Sequence, residues 1–136
     1  MKLKEIELRI IHLPLVRPFR TSFGTQTSRE VLMVKVTNEN GTVGWAECVA
    51  MSEPLYSPEY VIGCIDLMKR FLIPALKSKQ EISAEDVPTV LKPFLGGQMA
   101  KAALETAFLD AQLRDEKRSL AFYLGATKSR VECGVS

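Results

Sequence analysis

The chain has 136 residues, with 18 Lys and Arg against 16 Asp and Glu for a formal charge of +2. This is length for about one domain able to bury a core, and the charge is too small and too evenly spread to suit nucleic acid. Hydrophobic residues at 46%, charged residues at 25%, 8 Gly and 7 Pro exclude disordered and collagen-like classes.

The N-terminus, MKLKEIELRI, puts charges where a signal peptide needs an apolar run, and no apolar stretch approaches ~20 residues. A cytoplasmic protein without a membrane anchor is the expectation. In LKEIELRIIHLP, Ile6, Leu8 and Ile10 alternate with Glu5, Glu7 and Arg9, the period of a half-buried strand. Pro14 and Pro18 have no N–H to donate and are expected to stop its ladder. RPFRTSFGT then shows no period, so residues 17–30 read as a loop that carries Phe19 and Phe23, with Gly24 for its bend. EVLMVKVT and TVGWAECVA follow as β-rich runs on either side of NENG. Asn40-Gly41 suits the positive φ angles of a tight turn, which makes these runs an antiparallel hairpin. The predicted sheet is a three-stranded meander.

Helices follow it. SPEY presents Ser57 as N-cap, Pro58 at the first helical position and Glu59 in the first turn. Val61, Ile65, Met68 and Leu72 share one face, and Pro74 is expected to end or kink the helix. SAED repeats the start signal, with Ser83 capping and Asp86 at the third position; this short helix is bounded by Pro93 and Gly96-Gly97. The longest helix is QMAKAALETAFLDAQLRDEK, where Ala100, Ala103, Leu104, Ala107, Phe108 and Ala111 form an apolar stripe. Ser119 suits the cap of a last short helix stopped by Gly125. RVECGVS reads as the start of a strand with no partner, so further polypeptide or another chain is expected to pair with it. That bare strand and the alanine stripe together predict self-association.

Few residues fall in a pattern that carries chemistry. Cys48, Cys64 and Cys133 are widely spaced without CxxC, and with a single histidine they read as buried thiols of a reducing cytoplasm rather than a zinc site. His12, between Ile11 and Leu13, reads as a hydrogen-bonded structural residue rather than a base. Glu47 reads as the partner of a loop cation rather than a catalytic carboxylate. Asp110 with Arg114, and Lys101 with Glu105, suit intrahelical ion pairs. No acid–base pair and no metal site emerge. From the residues alone, Phe19 and Phe23 are equally lid contacts or packing residues.

LPLVRPFRTSFGTQTSREVLMVKV, GTVGWAECVA and KAALETAFLDAQLRDEKRSLAFYLGA, in that order, resemble the N-terminal region of the enolase superfamily. The subgroup is the muconate-lactonizing one, and within it the o-succinylbenzoate synthases and N-acylamino acid racemases. The resemblance implies an α+β fold, an enolase N-terminal-like capping domain with a three-stranded antiparallel meander followed by a helical bundle, truncated at the first strand of a TIM-like barrel. Residues 1–125 would be the capping domain, with lid loops 17–30 and 49–57, and residues 126–136 the start of the barrel. Such barrels need ~250 residues, and they carry the Lys-x-Lys motif, the acidic Mg²⁺ ligands and the opposing lysine of this chemistry. No catalytic or metal residue is therefore expected in this chain.

By the same resemblance, Phe19, Phe23, Met51 and Tyr56 match substrate-facing lid positions, and Ser136 matches a polar position that binds a substrate carboxylate. The implied enzyme is a Mg²⁺-dependent dehydratase forming o-succinylbenzoate for menaquinone biosynthesis, an N-acylamino acid racemase, or both. It would act on a small carboxylate through an enediolate and be a homo-oligomer. Dipeptide epimerisation, cycloisomerisation and a barrel-less binding module are the alternatives.

Overall fold

Alternating side chains and two tight turns build a three-stranded antiparallel sheet ordered β1-β2-β3, from Leu3–Thr21 (β1), Gly24–Asn38 (β2) and Val43–Cys48 (β3). The computed structural model describes residues 1–22 and 24–134. The α+β meander expected from the sequence is present, followed by helices.

The first hairpin differs from expectation. Residues 17–30 are not a loop: β1 and β2 pair from Leu3↔Asn38 out to Thr21↔Gly24, with Pro14 opposite Ser28 and a register shift between Pro14 and Phe19. An edge strand has one side without a neighbour, so a proline there removes no necessary hydrogen bond. Nearly every residue of β1 beyond Leu8 is exposed, so the hairpin leaves the core as a two-stranded arm. A ribbon of that kind is marginally stable by itself.

The second turn also differs in detail. Gly41 has φ +85, but Asn40 does not share the positive φ. The Gly41 N–H donates to the Asn38 carbonyl at 3.0 Å, and the Asn38 side chain accepts from the Thr42 N–H at 2.8 Å. Asn38 thus holds the turn that a two-residue loop would otherwise close.

Val61–Leu67 (α1), a π-helical turn Met68–Leu72 and Ile73–Lys77 (α2) run on without a break. Pro74 does not end the helix. A proline ring crowds the carbonyl four residues earlier, and the wider π turn directly before it relieves that contact. Ser57 is not the N-cap: α1 starts at Val61 after Tyr60, and Ser57 Oγ instead accepts from the Glu59 N–H at 3.1 Å in a local turn.

The Ser83 start signal is realised. Ser83 and Asp86 form a reciprocal capping box on a 3-10 turn Ala84–Asp86 that leads into Val87–Leu91 (α3). Gln98–Asp115 forms α4, and Leu120–Tyr123 forms α5, capped by Ser119 and followed by Gly125 at φ +64. Residues 131–134 are exposed and form no strand.

Leu32, Val34, Val36, Ala46 and Cys48 share one face of the sheet, and the α4 stripe from Ala100 to Ala111 closes over it. That stripe is wholly buried within the domain, so it is not the open surface for self-association expected from the sequence. Met68, Leu72, Leu76, Val87 and Leu91 complete the core. On α4, Arg114 pairs with Asp110 at 2.9 Å as expected, whereas Lys101 donates to the Phe94 carbonyl rather than pairing with Glu105.

Candidate functional site

The arm and the segment after β3 enclose a cleft of about 320 Å³. From the arm come Phe19, Thr21, Gln26, Ser28, Arg29 and Glu30; from the segment after β3 come Val49, Ala50, Met51, Ser52 and Tyr56. Pairing of Phe19 with Gln26 across the hairpin places both near the arm's end. A second cleft of about 230 Å³ lies between Thr21, Gly24 and Gln26 on one side and Met51 to Leu55 on the other. Gly24, at φ +139, adopts backbone that favours glycine where the hairpin closes.

The segment carrying Met51 and Tyr56 is a closed loop. Met51 and Tyr60 form a parallel bridge, and the Val61 N–H donates to the Met51 carbonyl at 2.9 Å. Its stem is therefore fixed, while Tyr56 is 73% exposed at its crest, and Phe19 on the arm is 56% exposed. Apolar rings with this much exposure have apolar surface to spare for a ligand.

Three of the five site residues expected from the sequence, Phe19, Met51 and Tyr56, come together in this cleft. Phe23 and Ser136 lie outside the described residues. Gln26, Ser28, Arg29 and Val49 were not singled out from the sequence; the strand register reveals the first of them, because it sets Gln26 opposite Phe19.

Arg29 pairs with Glu47 at 2.5 Å, so Glu47 meets a cation from the arm, as its sequence reading expected. His12 Nε2 stands 4.0 Å from Glu30 with its side chain 69% exposed, beyond hydrogen-bond distance. Among the described residues no three His, Cys, Asp or Glu side chains converge as metal ligands, and no helix is long and apolar enough to cross a membrane. The cleft offers an amphiphilic surface, apolar from Phe19, Val49, Met51 and Tyr56 and hydrogen-bonding from Thr21, Gln26, Ser28 and Ser52. That surface suits an organic molecule with an apolar body and polar ends.

Comparison with known proteins matches residues 5–125 to the family model described as mandelate racemase / muconate lactonizing enzyme, N-terminal domain. The chain is 50% identical over 136 residues to an N-succinylamino acid racemase of Amycolatopsis sp, covering 100% of this chain and 37% of that protein. It is 38% identical over 130 residues to an o-succinylbenzoate synthase of Listeria innocua, covering 94% of this chain and 35% of the relative. A crystal structure of an enolase-superfamily member from Listeria innocua superposes with a TM-score of 0.88 at 36% identity, over 94% of this chain and 34% of that one. The chain thus spans little more than a third of the length of these relatives.

Proposed function

Because the chain belongs to the mandelate racemase / muconate lactonizing enzyme N-terminal domain family, we propose that it is the substrate-capping part of a longer enzyme acting on a small carboxylate. The relatives named above are an N-succinylamino acid racemase and an o-succinylbenzoate synthase. The proposed reactions are accordingly racemisation of an N-acylamino acid and the dehydration that forms o-succinylbenzoate, a step of menaquinone biosynthesis. Both begin by removing a proton α to a carboxylate.

One observation carries this reading: Phe19 on the arm, and Met51 and Tyr56 on a separate loop, line a single cleft. Two chain segments with exposed apolar side chains form a wall over the acyl part of a substrate. Excluding water there strengthens the electrostatic interactions at the reacting end. Methionine, unbranched and polarizable, adapts to acyl groups of differing shape. Phe23 is assigned to the same wall and Ser136 to the substrate carboxylate, both on the family pattern.

In this reading residues 1–125 cap the site, and residues 126–136 lead into a barrel that supplies the bases. The Mg²⁺ assigned to the full-length enzyme has no ligand set among the described residues. Val16, Leu95 and Phe122, at 101%, 94% and 72% exposure, are surface for the remainder of the protein or a second copy to cover. Cys48 and Cys64 are buried, neighbouring and both free thiols, which supports a reducing cytoplasm.

Assays of the longer protein for both reactions test the proposal, with the isolated 136-residue chain and Mg²⁺ as control. Turnover by the longer protein and none by the isolated chain is expected. Activity of the isolated chain, or a longer protein inert towards both substrate classes, overturns it.

A further inference from the structure

We propose that Glu59 is the positioning residue for the loop wall of the cleft, and that it acts by capping helix α4 from a distant part of the chain. The inference rests on the capping role proposed above. The Glu59 carboxylate accepts the Met99 N–H at 3.1 Å on Oε1 and 2.9 Å on Oε2, and the Ala100 N–H at 3.3 Å on Oε2.

These are orphan donors of the first helical turn, and α4 has no local means of satisfying them. Its N-cap is Gly97, which has no side chain, and no acidic residue lies in its first turn. A side chain at the cap position is also disfavoured by its backbone. A Cβ on residue 97 would come 2.2 Å from Leu67 Cδ2, at a φ of +63 that disfavours side chains. The cap must come from elsewhere, and a carboxylate is the group that the positive end of the helix dipole favours.

Anchoring α4 also anchors the loop. Glu59 adjoins Tyr60, whose bridge to Met51 closes the loop's stem. Ser57 Oγ accepts from the Glu59 N–H at 3.1 Å and lies 3.9 Å from Met99 Sδ, and Cys64 Sγ donates to Glu59 Oε2 at 3.7 Å. The half of the loop that follows Tyr56 is thereby tied to the rigid start of the longest helix. The Met51–Tyr60 bridge holds one end of the loop, and the Glu59 carboxylate ties the other to α4.

Hydrogen exchange and kinetics on the full-length protein test this, with Glu59→Ala, Glu59→Gln and Ser83→Ala compared. Ser83→Ala removes a cap from another helix start and serves as the control for plain loss of stability. Glu59→Ala is expected to speed exchange about tenfold at Met99, Ala100 and across residues 51–60, where Ser83→Ala does not. Glu59→Gln, which keeps an acceptor oxygen and folds if the alanine variant does not, should fall between. KM for an N-succinylamino acid should rise severalfold in Glu59→Ala with kcat nearly constant, and stay unchanged in Ser83→Ala. Unaltered exchange across 51–60 in both Glu59 variants overturns the inference. Faster exchange with an unaltered KM leaves the anchoring role standing and overturns the cleft's part in substrate binding.

Discussion

A Cβ placed on Gly44 of β3 would lie 2.2 Å from the Ala107 carbonyl oxygen and 2.2 Å from the Ala111 amide nitrogen of α4. The atoms in the way are backbone, so no side-chain rotation relieves the contact. Helix and sheet touch here because small residues face each other: glycine on the strand, Ala107 and Ala111 on the helix. Gly44→Ala should lift α4 from the sheet and destabilise the domain by about 3 kcal/mol, the upper end for overpacking. Urea unfolding measures it. A loss no larger than that of the surface substitution Lys77→Ala would refute this packing.

Acid should destabilise the domain through identifiable carboxylates. Hydrogen bonds from Lys35 and then Arg9 hold Glu7 below its ordinary value of 4.5. The Ser83 N–H and hydroxyl do the same for Asp86, and the Thr42 hydroxyl, at 2.7 Å, does so for Asp115, both below 3.8. Each folded-state pKa is depressed, so the unfolded chain binds protons more tightly. The stabilisation is complete above the ordinary values and disappears as pH falls through the folded ones. The melting temperature should therefore decline on acidification below pH 4.5, and Glu7→Gln should make that decline shallower. Parallel curves for the variant and the parent would contradict the assignment.

The three thiols should separate by reactivity. A hydrogen bond with Cys48, then burial, pushes the Cys64 thiol well above its usual range, and Cys48 is itself only 1% exposed. Cys133 is exposed. Since the thiolate is the reactive form and needs access, a thiol reagent at neutral pH should modify Cys133 promptly and the other two only after unfolding. Prompt modification of Cys133→Ser protein would show that the buried pair is open to solvent.

What was legible in the sequence was local. The Ser83–Asp86 box, the Ser119 cap and the apolar spacing of α4 all involve residues within a few positions of each other, and all are present, although the α4 stripe faces the domain's own core rather than a partner. The misreadings involve partners far along the chain. Ser57, Pro58 and Glu59 have the composition of a helix start, yet Glu59 serves a helix 40 residues away. Pro14 and Pro18 look like strand terminators, and residues 15–18 do fall out of the ladder, but pairing resumes at Phe19 with Gln26, which only the register with β2 shows. The cleft was half legible: family resemblance picked Phe19, Met51 and Tyr56, whereas Gln26 and Ser28 become visible only with the hairpin register.

Phe19 and Tyr56 provide the most direct test of the wall they form. Both are mostly exposed, so alanine at either position removes little packing from the domain, and the arm carrying Phe19 is a two-stranded ribbon at the low-stability end of the structure. Melting temperatures of the two variants should stay near that of the parent. Under the proposed capping role, the same changes in the longer protein would remove apolar contact with substrate and leave the reacting groups in place. Burying such a side chain contributes about 1.5–3 kcal/mol, so kcat/KM should fall on the order of tenfold to a hundredfold. The loss should be largest for substrates with bulky acyl groups, because those reach the wall, and smallest for short ones. Parallel kinetics across an acyl series and melting curves of both variants decide the matter. A melting temperature several degrees lower, with acyl preference unchanged, would make these side chains packing residues and reject their contact with substrate.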